Sequence, residues 1–111
     1  VMVELVRQED ESPNTPFRDM YTRDQEGLHH TAIFVDDFDS AVRQFADSGL
    51  ALATRCKTKT GGVEFGFIDA TATLGHMIEI SASSPTLLGF YEMVRAMSID
   101  WDGRDLFAVP G

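Results

Sequence analysis

Three residues in the 111-residue chain could do chemistry together: Glu4 in VMVELV, His30 in LHHTAIFV and Glu79 in MIEI. Each stands among apolar, strand-forming neighbours, where a charged side chain is costly to bury unless it is paired or bound to a metal. A divalent ion removes that cost. Imidazole and carboxylate ligands suit zinc, nickel, cobalt, manganese or ferrous iron, and ligands on rigid strands can leave a coordination position open for substrate. One histidine with carboxylates leans toward the harder ions of that set. The plainer alternatives are a hydrogen-bonded or solvent-facing His30 and a Glu79 that faces water from an antiparallel sheet with one wet face.

Other reactive residues fit less well. In a regular strand His29 points away from His30, so the two cannot serve one site without a bulge. His76 precedes Glu79 by three residues and therefore reads as a loop or outer-face residue. Cys56 lies in a strand rather than at a helix N-terminus, which makes it a small packing residue rather than a nucleophile. No phosphate loop, nucleophile elbow or paired Cys-x-x-Cys motif occurs.

The elements that must position these residues follow from periodicity. Residues 28–35 are rich in β-branched and aromatic types, and alternation puts His30, Ala32 and Phe34 on one face of a strand. Asp36 or Asp37 can cap a helix in which Phe38, Ala41, Val42 and Phe45 share a face, ended by Gly49 in a left-handed conformation. Strands are predicted over residues 50–56, 63–69 and 77–81, with turn chemistry in TKTGG and a loop through Gly75. The unit is β-α-β-β-β, of the α+β class. Ser84 and Pro85 then open a helix carrying Leu87, Phe90, Tyr91, Val94 and Met97, read as a cover for the sheet or a dimer contact, and the tail through Trp101, Phe107 and Pro110 has no usable period.

Residues 1–6 are predicted as a strand, and residues 7–27, with two prolines and mixed charge, as a surface connection. At about twenty residues that connection is long for a compact domain and suggests a link between two modules. VELV at residues 3–6 matches IEIS at residues 78–81, as if the opening strand closed an earlier copy of the same unit.

Composition bounds the partners. A chain of this length forms one domain at most, and eleven aromatic residues argue against disorder. The net charge of −9, with basic residues scattered, argues against nucleic acid and anionic membranes. A single cysteine precludes an intrachain disulfide, no apolar run approaches ~18 residues, and no signal peptide is visible, so a cytoplasmic location is expected.

GLHHTAIFVDDFDSAVRQFADSGL, the GG turn and LGHMIEI together resemble the second module of the vicinal oxygen chelate superfamily, which includes glyoxalase I, methylmalonyl-CoA epimerase, bleomycin-resistance proteins and extradiol dioxygenases. VELV, a charged linker and G-L-H-H in that order look most like the epimerase. The resemblance covers residues 1–83. It implies two paired β-α-β-β-β modules around a divalent metal, with His30, Glu79 and Glu4 as ligands and a fourth from an opening strand this sequence lacks. The implied partner is therefore a missing first module or a second copy in a homodimer; because Val1 stands inside a strand, a truncated protein is expected. The implied reaction moves a proton next to a carbonyl, with the metal as Lewis acid on the developing enolate, Glu79 as ligand and base, and Glu4 facing it as second acid/base or plain ligand. The implied substrate is an acyl thioester or a 2-oxo compound. Alternatives are a metal-free binder of the bleomycin-resistance type, an extradiol dioxygenase and a purely structural module.

Overall fold

The computed structural model describes residues 2–9, 15–59 and 61–104. Its elements are β1 (His30–Val35), α1 (Phe38–Asp47), β2 (Leu52–Lys57), β3 (Glu64–Ala70), α2 (Thr71–Leu74), β4 (His76–Ala82) and α3 (Pro85–Ser98). The four strands form one sheet in the order β1-β4-β3-β2, with β1 parallel to β4 and the other pairs antiparallel. The chain is thus of the α+β class, and its order is the expected β-α-β-β-β with one extra helical turn.

Local chemistry accounts for α1. The Asp37 carboxylate accepts from the Ser40 backbone N–H at 2.9 Å, satisfying one of the donors left over at a helix start. Gly49, at φ 85°, takes the left-handed conformation just past the last turn, where a Cβ would be strained. Between these signals Phe38 and Ala41 turn inward onto Ile68 and Ile80, with Val35, Val42, Phe45, Leu50, Leu52 and Ile78 packed around them. Ile68 and Ile80 are fully buried. Gly66 makes that packing possible: a Cβ there would lie 2.6 Å from the Thr54 carbonyl oxygen and 3.0 Å from the Phe38 ring. Arg55 lies over the outer part of that ring and pairs with Asp39 and Glu64, so its charge is spent locally.

Because α1 covers one face, the other face is left for function. The registers Ala32 with Glu79, Phe67 with Glu79 and Phe65 with Ser81 place His30, Ala32 and Phe34 of β1 beside Glu79 and Ser81 of β4 and Phe65 and Phe67 of β3. The cap of α3 is the expected one, with Ser84 Oγ accepting from the Leu87 N–H at 3.1 Å and Pro85 opening the helix. Its Tyr91 ring meets Phe34 edge-on at 5.3 Å, so α3 leans over the β1 end of this open face. No described helix is long and apolar enough to cross a membrane.

Three expectations change. Residues 2–6, the described part of the strand expected over residues 1–6, are not a strand: Val3 and Leu5 are 74% and 94% exposed, and no described strand pairs with them. Strand-forming composition reflects fit to a pleated, half-buried surface, and the segment has no such surface beside it. The loop before Gly75 contains the single turn α2, begun where Asp69 accepts from the Thr71 N–H at 3.0 Å; four residues are too few to show a helical period. The first module strand begins at His30 rather than residue 28, and His29 stands just before it, its carbonyl accepting the first β1–β4 ladder bond from the Met77 N–H at 2.8 Å. Val1 and the tail residues Phe107 and Pro110 lie outside the described residues.

Candidate functional site

His30 and Glu79 meet across adjacent strands. His30 Nε2 lies 2.9 Å from Glu79 Oε2, with the side chains 13% and 17% exposed. The other carboxylate oxygen, Oε1, accepts from Ser81 Oγ at 3.3 Å. Glu79 raises the proton affinity of the ring, first through this hydrogen bond, so His30 holds its proton to a higher pH than an ordinary histidine.

His29 stands on the same side as His30, contrary to the expectation from alternation. It precedes the first paired residue of β1, and only its carbonyl is held by the ladder, so its side chain is not bound to the two-residue period. Its Nδ1 lies 2.9 Å from His30 Nδ1, and its Nε2 lies 2.9 Å from the Pro16 carbonyl oxygen. The ring is buried between Phe17, at 4.7 Å, and Phe67, at 5.1 Å between centroids, and the His30 ring also meets Phe67 at 5.1 Å. Burial lowers the His29 pKa, and the neighbouring His30 charge adds to that effect. The segment read as a surface connection therefore packs into the site through Pro16 and Phe17.

These opposed shifts predict a stability maximum in metal-free protein. His29 binds fewer protons folded than unfolded below its ordinary value of 6.5, so its contribution is lost as pH falls through its lowered folded pKa. His30 binds more protons folded than unfolded above 6.5, so its contribution is lost as pH rises through its raised folded pKa. Melting temperature measured against pH should peak near 6.5 in chelator-treated protein. His30→Gln should flatten the alkaline side, and an unchanged alkaline slope would refute the assignment.

The pair opens on a broad cleft of about 1420 Å³, bounded by residues 2–9, 17–18, 21–34, Glu79, Ser81 and Tyr91. Glu4 borders this cleft, and its charge, with that of Glu79, reaches both His30 and Tyr91. Burial, followed by those two charges, raises the Tyr91 hydroxyl pKa. The structure thus brings two of the three expected residues into contact and places the third on the cleft wall. Among the described residues no three His, Cys, Asp or Glu side chains are close enough together to hold an ion. His76 lies away from the pair, touching Thr31 Oγ1 at 3.2 Å and the Leu74 carbonyl oxygen at 3.1 Å. Cys56 is half-buried, and burial raises its thiol pKa, as suits a packing residue rather than a nucleophile.

An imidazole nitrogen and a carboxylate oxygen converging on a cleft form a donor pair that suits a divalent first-row ion. Each is anchored at its far side, the ring by His29 and the carboxylate by Ser81. Two ligand positions on this chain fit such an ion. His29 offers no further nitrogen, since both are engaged, so the two-histidine, one-carboxylate set of a non-haem iron oxygenase is not present among the described residues.

A sequence profile of the glyoxalase/bleomycin resistance protein/dioxygenase superfamily matches residues 1–67. The chain belongs to this superfamily. The match spans β1, α1, β2 and the greater part of β3; it includes His30 and ends before Glu79. No curated protein matches the chain. The four-stranded sheet with α1 on one face is the superfamily's β-α-β-β-β module, and His30 and Glu79 stand on the opposite face.

Sequence reasoning missed the role of His29, and also Ser81 and Tyr91. Ser81 was accessible to it, since it stands two residues after Glu79 on the same face of β4. Tyr91 required knowing where α3 lies, which no local period encodes.

Proposed function

We propose that the chain is a divalent-metal-dependent isomerase or lyase that moves a proton next to a carbonyl, of the methylmalonyl-CoA epimerase or glyoxalase I type. The observation that carries this reading is the 2.9 Å contact between His30 Nε2 and Glu79 Oε2 at the mouth of the cleft. His30 and Glu79 would hold zinc, nickel, cobalt, manganese or ferrous iron, with Glu4 as a further ligand or acid/base. When bound, such an ion supplies Lewis-acid polarisation of a carbonyl oxygen. Glu79 accepts the proton from the neighbouring carbon, and Glu4, which lines the same cleft, serves as the second carboxylate. His30 orients the Glu79 carboxylate through the 2.9 Å contact. The substrate class is an acyl thioester or a 2-oxo compound.

The remaining ligands would come from a second β-α-β-β-β module against β1, whose outer edge has no partner strand among the described residues and whose Ile33 and Phe34 are 47% and 39% exposed. A second copy in a homodimer or a preceding module meets that need.

The test is metal binding by the purified chain, measured by calorimetry with each of the five ions and by elemental analysis. Binding that is lost in His30→Ala supports the reading, and failure of every ion to bind to a chain that forms a homodimer refutes it. The lack of a third nearby ligand among the described residues favours one second reading, a metal-free small-molecule binder of the bleomycin-resistance type. Saturable binding of a small ligand in chelator-treated protein distinguishes it.

A further inference from the structure

We propose that His29 is the positioning residue of this site: held by the Pro16 carbonyl, it accepts the Nδ1–H of His30 and thereby reserves His30 Nε2 for the cleft. The assignment follows from counting hydrogens. A carbonyl oxygen only accepts, so the His29 nitrogen 2.9 Å from Pro16 carries the hydrogen. A neutral imidazole has one N–H, so His29 Nδ1 presents a lone pair. The 2.9 Å contact between the two Nδ1 atoms takes one hydrogen, and His30 must supply it. The nitrogen of His30 that remains is Nε2, which faces Glu79 and, with no ion bound, carries a second hydrogen toward that carboxylate.

The same contacts fix the ring plane. Turning the His30 ring over would put a carbon where Nδ1 now donates, and the edge of Phe67 against both rings leaves the pair a single seat. Metal-binding histidines commonly donate their second nitrogen to a carboxylate, a carbonyl or water. Here the acceptor is a second histidine, tethered in turn to a segment thirteen residues away. The role in metal binding rests on the function proposed above; the hydrogen-bond assignment does not.

Two substitutions separate the halves of the relay. Asparagine at position 29 places an oxygen near the Nδ1 position and keeps the acceptor for His30. Glutamine reaches the Nε2 position and keeps the donor to Pro16 without that acceptor. In the metal-free, ¹⁵N-labelled full chain, nuclear magnetic resonance should show a solvent-protected proton on His30 Nδ1, with through-hydrogen-bond coupling to His29 Nδ1. His29→Asn should retain that proton, and His29→Gln should lose it. Zinc should bind His29→Asn nearly as tightly as wild type and His29→Gln roughly 10–100-fold more weakly. A proton found on His29 Nδ1, or absence of the coupling in wild type, overturns the proposal, as does a His29→Gln protein whose His30 resonances and zinc affinity match wild type. If a variant fails to fold, the wild-type coupling alone decides. If wild type binds no zinc, the metal reading fails while the coupling still tests the positioning.

Discussion

Phe67→Ala is expected to cost about 3–5 kcal/mol of stability, as removal of a large aromatic core side chain commonly does. Phe67 is 3% exposed although it stands on the sheet face opposite α1. Its ring meets Phe17 at 6.4 Å, Phe65 at 6.3 Å and both site histidines at 5.1 Å. The face opposite α1 therefore has its own small core, and Phe67 is its centre. The truncation should lower the urea midpoint and also change the His29 and His30 ring resonances, because the surface that seats them is gone. Phe67→Leu retains most of the volume and should cost less while still removing the ring edges. A Phe67→Ala protein that loses less than about 1 kcal/mol and keeps its histidine resonances would show that the rings are seated by other contacts.

Under the proposed isomerase or lyase reaction, Glu79→Gln should slow exchange of the substrate proton with solvent deuterium by roughly 10²–10⁴-fold, the usual contribution of a positioned acid or base. A methylmalonyl thioester and a glutathione hemithioacetal of a 2-oxoaldehyde are the probes, followed by proton resonance in heavy water. Glutamine has nearly the same shape and keeps an oxygen for Ser81 or His30, so the sheet should stay intact. The substitution also removes the main reason that His30 binds its proton tightly, and the His30 titration should fall toward that of an ordinary histidine. Wild-type exchange by Glu79→Gln would eliminate Glu79 as the base, and an unshifted His30 titration would eliminate the ion pair.

Much of the architecture was legible because its signals are local. Asp37, Gly49, Ser84 and Pro85 mark helix ends through hydrogen bonds and backbone angles made within a few residues. Alternation in β1 and β4 placed His30 and Glu79 correctly relative to their own strands, and the resemblance suggested that the strands are neighbours. Alternation failed at His29 because it applies to residues paired within a strand, and the first paired residue of β1 is His30. Strand-forming composition failed for residues 2–6 because an apolar run becomes a strand only against a partner. The contribution of Pro16 was invisible for another reason: a carbonyl oxygen is common to every residue, so no residue type announces it.

His30 and Glu79 are brought together by a ladder that joins parts of the chain remote in sequence, with α1, β2 and β3 between them. The pair cannot form by local folding, since joining β1 to β4 closes a long loop of chain. Any species captured between them is consequently coupled to closure of the entire sheet, and its occupancy should raise the melting temperature of the molecule as a whole instead of merely quieting one loop.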